Sequence, residues 1–362
     1  MPQPSATAAA DAVPLVPPVW GLLPEQLAHA LTARGIPIRD DEARRVIAHR
    51  VAIDGARTIV RRPLSRALTS AIARASDPSD LEIVEKAVDP HDGFVKYLFR
   101  SPDGALSEAV RIPLEKPGCF SVCLSSQVGC AMGCVFCATG RLGLDRNLRA
   151  WEMVRAFCRV RDEAPGRITG AVFMGQGEPF HNYDEVIHAA RILSHPCAGR
   201  ISAQAITIST VGLVPQIRRY TAEGHRYRLI ISLTSAVPAR RAQLLPIAGR
   251  FTIEDVAAAI REHASRAKGR VTVAWVVMSG VNTGDDEVDA LRSLLGDVPL
   301  RLNLIDVNDP REGGYRRASD EERKGFMNRL QVLGVPLVRR YSGGASRHAA
   351  CGMLAAERIA PV

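Results

Sequence analysis

Cys130, Cys134 and Cys137 constrain this chain more than any other feature of it. They form a CxxxCxxC loop, Cys130-Ala-Met-Gly-Cys134-Val-Phe-Cys137, directly after a stretch that reads as a β-strand (Ser121–Ser125). Three thiolates this close on one loop can each take one iron of a cubane [4Fe-4S] cluster, and the fourth iron is then left without a protein ligand. S-adenosylmethionine (SAM) can chelate that open iron through its amino and carboxylate groups, and one electron from the cluster breaks its sulfonium C–S bond. Two other readings compete. Structural zinc needs four closed ligands, usually two CxxC pairs, and no second pair or suitably spaced His follows. An ordinary ferredoxin cluster needs four cysteines.

The chain has eight cysteines, five of them between positions 119 and 137. With no convincing export signal, this crowding favours metal or redox chemistry in a reducing cytoplasm over structural disulfides. The segment Met1–Pro18 is rich in Ala and Pro and has neither a basic nor a compact apolar stretch, so it is expected to be a flexible tail. No run approaches the ~20 apolar residues of a membrane span. Formal net charge is +9, which suits a polyanionic partner such as RNA but is also compatible with nothing more than a basic surface.

Residues 19–78 read as a helical accessory domain. Leu22, Leu27, Leu31, Val46, Ile47 and Val51 recur at helical intervals. Arg44, Arg45, Arg50, Arg57, Arg61, Arg62 and Arg66 lie among and after them, either as a solvated face or as an RNA-docking one. Residues 79–115 read as a β connector of three short strands separated by Asp, Pro and Gly turns. Residues 116–350 alternate strand and helix, with strands expected at Ser121–Ser125, Gly170–Met174, Ala205–Ser209, Leu229–Leu233, Val271–Val277, Leu300–Ile305 and Leu337–Tyr341. That alternation implies an α/β fold, a partial (β/α)6 barrel of parallel strands with its active site at their C-terminal ends. Residues 351–362 form a C-terminal tail.

Several polar residues fall at those strand ends. Phe173-Met-Gly-Gln-Gly177-Glu178-Pro179 follows the second strand, where Gly177 permits close backbone approach to a ligand. Glu178 either accepts a hydrogen bond from a ligand ammonium or caps the following helix. Ser209 ends the third strand, Ser232-Leu233-Thr234 the fourth, and Asn308 follows the sixth. Each alone is an ordinary turn residue; their shared position raises them together as SAM contacts.

Ser125-Ser-Gln-Val-Gly-Cys130 running into CxxxCxxC, then Gly175-Gln-Gly-Glu-Pro179, then Ala349-Ala-Cys351-Gly352, resembles the RlmN/Cfr family of radical SAM RNA methyltransferases. The resemblance runs from about Glu108 to the C-terminus. It implies that Cys130, Cys134 and Cys137 hold one [4Fe-4S] cluster and that SAM contacts include Gly177, Glu178, Ser209, Ser232, Leu233, Thr234 and Asn308. It further implies that Cys351 carries the methyl group as S-methylcysteine. Cys123 then resolves the adduct through a transient disulfide with Cys351, and Glu108 accepts the proton that the adenine ring loses. From the residues alone, Cys351 could be a small buried hydrophobe, Cys119 could take the resolving role, and Glu108 could be a surface carboxylate. Two positions depart from the family pattern: Thr234 stands where His is common and Gln176 where Met is common.

The implied activity is methylation of an adenosine base at C2, in 23S rRNA and tRNA, using two SAM molecules. The variants are methylation at C8, a radical SAM enzyme acting on a non-RNA substrate, and an RNA-binding protein with a structural metal. RNA and an external electron donor such as flavodoxin or ferredoxin are the expected partners. The chain is expected to be a cytoplasmic monomer.

Overall fold

The computed structural model describes residues 15–52, 63–267, 269–355 and 357. Residues 1–14 of the expected tail, and Arg57, Arg61 and Arg62, lie outside them. Within the described part of that tail, Val16 is fully buried and bridges to Ser76.

Three helices, α1 (Pro24–Thr32), α2 (Asp40–Val51) and α3 (Arg66–Ala75), form the N-terminal region. Three short strands follow, β1 (Glu82–Val88), β2 (Val95–Arg100) and β3 (Leu106–Pro113). They pair antiparallel because the turns between them are too short for a crossover. The next strand, β4 (Cys119–Leu124), is antiparallel to β3 and starts the parallel part of the sheet. A small hairpin, β5 (Gln127–Gly129) and β6 (Leu144–Asn147), frames the cysteine loop together with the short α4 (Ala138–Arg141).

After it come α5 (Ala150–Asp162), β7 (Arg167–Phe173), α6 (Tyr183–Ser194), β8 (Ile206–Thr210), α7 (Val214–Glu223) and β9 (Arg228–Ser232). The series ends with α8 (Pro238–Leu244), α9 (Ile253–Arg266), β10 (Val271–Val277), α10 (Asp285–Leu295), β11 (Leu300–Asp306), α11 (Asp320–Leu330) and β12 (Leu337–Arg340). At the start of α9, Thr252 Oγ1 accepts from Asp255 N while the Asp255 carboxylate accepts from Thr252 N, a reciprocal cap.

All but β5 and β6 join one ten-stranded sheet in the order β1-β2-β3-β4-β7-β8-β9-β10-β11-β12. From β4 onward every neighbouring pair is parallel, as helical crossovers require. Side-chain alternation sorts the two faces. On β10, Val273, Trp275 and Val277 are fully buried in the main core, while Ala274 and Val276 line a cavity on the opposite face. Small residues on that inner face leave room where a second layer of large side chains would fill the barrel.

The barrel is partial: among the described residues β12 pairs with β11 and with no second strand. The gap is spanned by the loop after β12. Tyr341 Oη and Gly344 N donate to Asp92 at 2.9 and 2.8 Å, and Ser346 Oγ donates to Asp89 at 2.7 Å, both acids lying in the β1–β2 turn.

The N-terminal helices dock on α5. Arg155 lies 4.0 Å over the Trp20 ring and Arg161 Nη1 donates to Val51 O at 2.7 Å. Leu27, Leu31, Ile47 and Val51 belong to the same continuous core as the sheet. Arg44, Arg50 and Arg66 are exposed there, and Arg45 pairs with Asp41.

Candidate active site

The cysteine loop is held by backbone geometry that little but glycine allows at its entry. Gly129 has φ +75°, and a Cβ there would sit 2.0 Å from Gly143 O. The next residue, Cys130, donates its N–H to the same Gly143 O at 2.7 Å. Cys137 N donates to Cys134 O at 3.1 Å, and Val135 N donates to Leu244 O at 3.2 Å, on the end of α8. Cys130, Cys134 and Cys137 all line one cavity at the C-terminal ends of the parallel strands.

Burial dominates the electrostatics of these thiols. It pushes Cys130 up to about 12, Cys134 well above the usual thiol range, and Cys137 upward as well. The three also repel one another's charge: Cys130 and Cys134 each feel Cys137, and Cys134 feels Cys130. Three buried thiols can ionise together only around a compensating cation. Among the described residues no three His, Cys, Asp or Glu side chains converge as ligands of a single ion. A donor set of three separate sulfurs fits a cubane, in which each thiolate meets its own iron.

The same cavity is open at its mouth, as a small-molecule site must be for its ligand to enter. Gly177, Glu178, Ser209, Ser232, Thr234, Asn308 and Cys351 line it with the three cysteines. Gly177 has φ +97°, and a Cβ there would strike Gln127 at 2.6 Å. Glu178 is 2 % exposed, and burial raises its carboxyl to about 7. Its two oxygens accept 2.9 Å hydrogen bonds from Phe180 N and Val211 N. It therefore caps the following turn and also faces the cavity. Thr234 adopts φ +62°, and its buried Oγ1 has no partner among the described residues. A hydroxyl so placed needs a hydrogen-bonding ligand.

Leu233 is not brought to the cavity. Its side chain is fully buried in the main core, while its backbone pairs with Ala274 O. Asn308 faces the cavity with its amide already engaged. Nδ2 donates to Ser342 Oγ at 3.1 Å and to Cys351 O at 3.2 Å.

Cys351 sits in the wall between this cavity and a second one, whose lining includes Cys123, Val110, Met174 and Arg340. Cys123 lies on β4 opposite Val110 of β3. Burial, then the charge of Cys351, raises it to about 12. All eight cysteines are free, so the disulfide expected of Cys123 and Cys351 is not formed in this structure. Cys119, at the opposite end of β4, lines neither cavity.

Glu108 is 4 % exposed and lines neither cavity, so it is not a surface carboxylate. Oε2 accepts from Gln176 Nε2 at 2.8 Å and from Ala355 N at 2.7 Å, and Oε1 lies 3.6 Å from Lys96 Nζ. The segment that follows Cys351 is thus fixed above it. Lys96 also pairs with Glu357 at 3.0 Å, and Thr139 Oγ1 donates to Leu354 O at 2.9 Å.

Met174, Thr139, Thr210 and Asp306 also line the main cavity and were not singled out from the sequence. Met174, Thr210 and Asp306 stand at or just beyond strand C-termini, the same positional signal that selected Ser209 and Ser232. Thr139 lies on α4, whose position only the fold shows.

Residues 124–294 match the Radical SAM superfamily. The chain is similar to a protein named probable RNA methyltransferase from Anaeromyxobacter sp. (strain Fw109-5), 48 % identical over 90 % of this chain and 96 % of the relative. It is also similar to the dual-specificity RNA methyltransferase RlmN of Syntrophotalea carbinolica, 37 % identical over 75 % of this chain and 72 % of the relative. Among solved structures, a radical SAM methyltransferase from Sphaerobacter thermophilus superposes with a TM-score of 0.83 at 35 % identity, over 94 % of this chain and 99 % of that one.

Proposed function

The chain belongs to the family of radical SAM RNA methyltransferases that includes RlmN, and from that premise we propose that it methylates an adenosine base of RNA at C2 through a methyl group carried on Cys351. The proposed substrates are 23S rRNA and tRNA. The observation that carries this reading is the position of Cys351, shared between the three-cysteine cavity and the cavity of Cys123. One wall residue can then meet SAM on one side and a nucleobase on the other.

A [4Fe-4S] cluster with SAM supplies a methyl group for a thiolate and, with a second SAM, a radical able to take hydrogen from the resulting S-methyl group. The remaining tasks fall to this chain's own residues. Cys130, Cys134 and Cys137 are proposed to hold the cluster, with Gly177, Glu178, Ser209, Ser232, Thr234 and Asn308 around SAM. Adenine C2 is not nucleophilic, so the Cys351 sulfur must bring the carbon to it. Cys123 then attacks the Cys351 sulfur and breaks its bond to that carbon: the two sulfurs join as a disulfide that an external reductant reopens, the carbon takes up a proton to become the methyl group, and the one electron left over from the radical adduct would pass back to the bound cluster. The ring must shed its own proton, and Glu108 is the proposed acceptor. Ala355 N and Gln176 Nε2 both donate to its Oε2, so its proton-accepting role is proposed for a stage at which the Ala355 amide has released that oxygen. The +9 charge and the exposed Arg44, Arg50 and Arg66 support RNA binding through phosphates. A monomer in the cytoplasm, served by a flavodoxin or ferredoxin, completes the proposal. No helix among the described residues is long and apolar enough to cross a membrane.

The test is anaerobically reconstituted protein with SAM, a reductant and total RNA from a strain lacking the gene, read by nucleoside mass spectrometry. A 2-methyladenosine peak that Cys351→Ala abolishes is expected. A peak of 8-methyladenosine would move the reaction to C8, and 5′-deoxyadenosine without any methylated nucleoside would overturn the RNA substrate.

A further inference from the structure

Arg241, on α8, has no part in the chemistry assigned to the cysteines, yet it is the second-largest fully buried side chain described, at 1 % exposure. Its guanidinium donates to Leu233 O and, at 2.8 Å, to Val211 O, the backbone just beyond β9 and β8. Its Nε is buried without an acceptor among the described residues. Among the described residues no carboxylate pairs with it. Burial lowers its ordinary value to about 10, so it stays charged at neutral pH. A buried cation with only neutral acceptors costs several kcal/mol, and a fold does not carry that cost without a counter-charge.

The counter-charge has one evident source. The C-terminal end of α8 touches the cysteine loop through the Val135 N–Leu244 O bond, and Leu245 next to it lines the cavity. Val211, whose carbonyl the guanidinium holds, lines that cavity together with Cys130, Cys134 and Cys137, and so do Ser232 and Thr234 on either side of Leu233. As protonated thiols the three cysteines offer no charge; as cluster ligands they do. Arg141 also faces Cys137, but it is paired with Asp309 at 3.5 Å.

We propose that Arg241 is the buried counter-ion of the cluster held by Cys130, Cys134 and Cys137, and that its fixed charge raises the cluster's reduction potential. Three thiolates around a [4Fe-4S] core leave a net anion, and taking up one electron makes it more negative. A cation fixed in water-excluded surroundings therefore stabilises the reduced state more than the oxidised one. Arg241 acts through the cluster and not on substrate, so it is a positioning and tuning residue. The inference rests on the three-cysteine cluster assignment.

The test uses the full chain, anaerobically reconstituted, without SAM or RNA. Iron content, circular dichroism and an EPR-monitored redox titration are compared for wild type, Arg241→Lys and Arg241→Gln. Wild type must first bind four irons per chain; if it does not, the cluster assignment fails whatever Arg241 does. With the wild-type cluster in place, Arg241→Lys is expected to keep the iron and a near-native midpoint potential. Arg241→Gln keeps a hydrogen-bond donor without the charge, and its midpoint is expected at more negative potential or its iron content is expected to fall while the Lys variant loads fully. A Gln variant with full iron and a native potential would overturn the inference. So would Lys and Gln variants impaired alike in folding, iron or potential, which would leave Arg241 as a strut between β8 and β9.

Discussion

The amide of Ala355 donates a 2.7 Å hydrogen bond to Oε2 of Glu108, joining the segment that carries Cys351 to strand β3. That carboxylate also faces Lys96, itself 2 % exposed. Glu108→Gln leaves Lys96 with only the half-exposed Glu357, so thermal stability is expected to fall by about 1–3 kcal/mol. Cluster content and methylation of Cys351 are expected to survive, while RNA methylation stops. Peptide mass spectrometry of Cys351 checks this; an unmethylated Cys351 would place Glu108 earlier in the cycle.

Cys123 faces a cavity that it shares with Cys351, and burial holds its thiol up at about 12. Removing it with Cys123→Ala is expected to strand the adduct, so that RNA remains covalently attached to Cys351. Denaturing gels of the reaction with labelled RNA read the outcome. Free turnover by this variant would assign the resolving role to another group.

Glu178 gives the cluster-free protein an unusual pH dependence. Its carboxyl is raised from 4.5 to about 7, so between those values the folded chain binds more protons than the unfolded one. Stability contributed by this group is therefore full at acid pH and declines as pH rises through that window, by up to ~3 kcal/mol. Urea titrations of the cluster-free protein at pH 5 and pH 7.5 are expected to show the decline, and Glu178→Gln to flatten it.

At Gly129, both the +75° φ and the 2.0 Å approach of Gly143 O exclude a side chain. Gly129→Ala is expected to displace Cys130 and to cost the loop about 1–3 kcal/mol. Iron content after reconstitution is expected to drop well below four per chain, with helix content by circular dichroism unchanged. A fully loaded variant would show that the loop tolerates the shift.

RNA affinity is expected to fall steeply between 50 and 200 mM salt, since phosphate contacts release counterions. Filter binding across that range measures the slope. A flat response would remove the exposed arginines of α2 and α3 from the interface.

Much of this architecture is written in local pattern. Alternating strand and helix signals placed all seven parallel strands, because the two periods, 2 and 3.6, are properties of short segments. The spacing of Cys130, Cys134 and Cys137 is equally local, and so is the Thr252 cap with Asp255. The polar residues at strand ends followed from the rule that parallel α/β sheets open at that end, which brought Ser209, Ser232, Thr234 and Asn308 to one cavity.

What the sequence left undetermined depends on pairing across long chain separations. Alternation alone sets Leu233 opposite Ser232 and Thr234, but which of the two faces is packed as core and which opens as a cavity is decided by what covers the sheet. The β5–β6 hairpin, three and four residues long, is too short to show a period. Closure of the barrel by Tyr341, Gly344 and Ser346 against Asp92 and Asp89, the burial of Glu108 under Ala355, and the lodging of Arg241 against the carbonyls of Val211 and Leu233 each join segments apart in the chain. Composition determined which chemistry these residues could perform; only the tertiary structure, by removing water from around them, decided which of their charges would face one another.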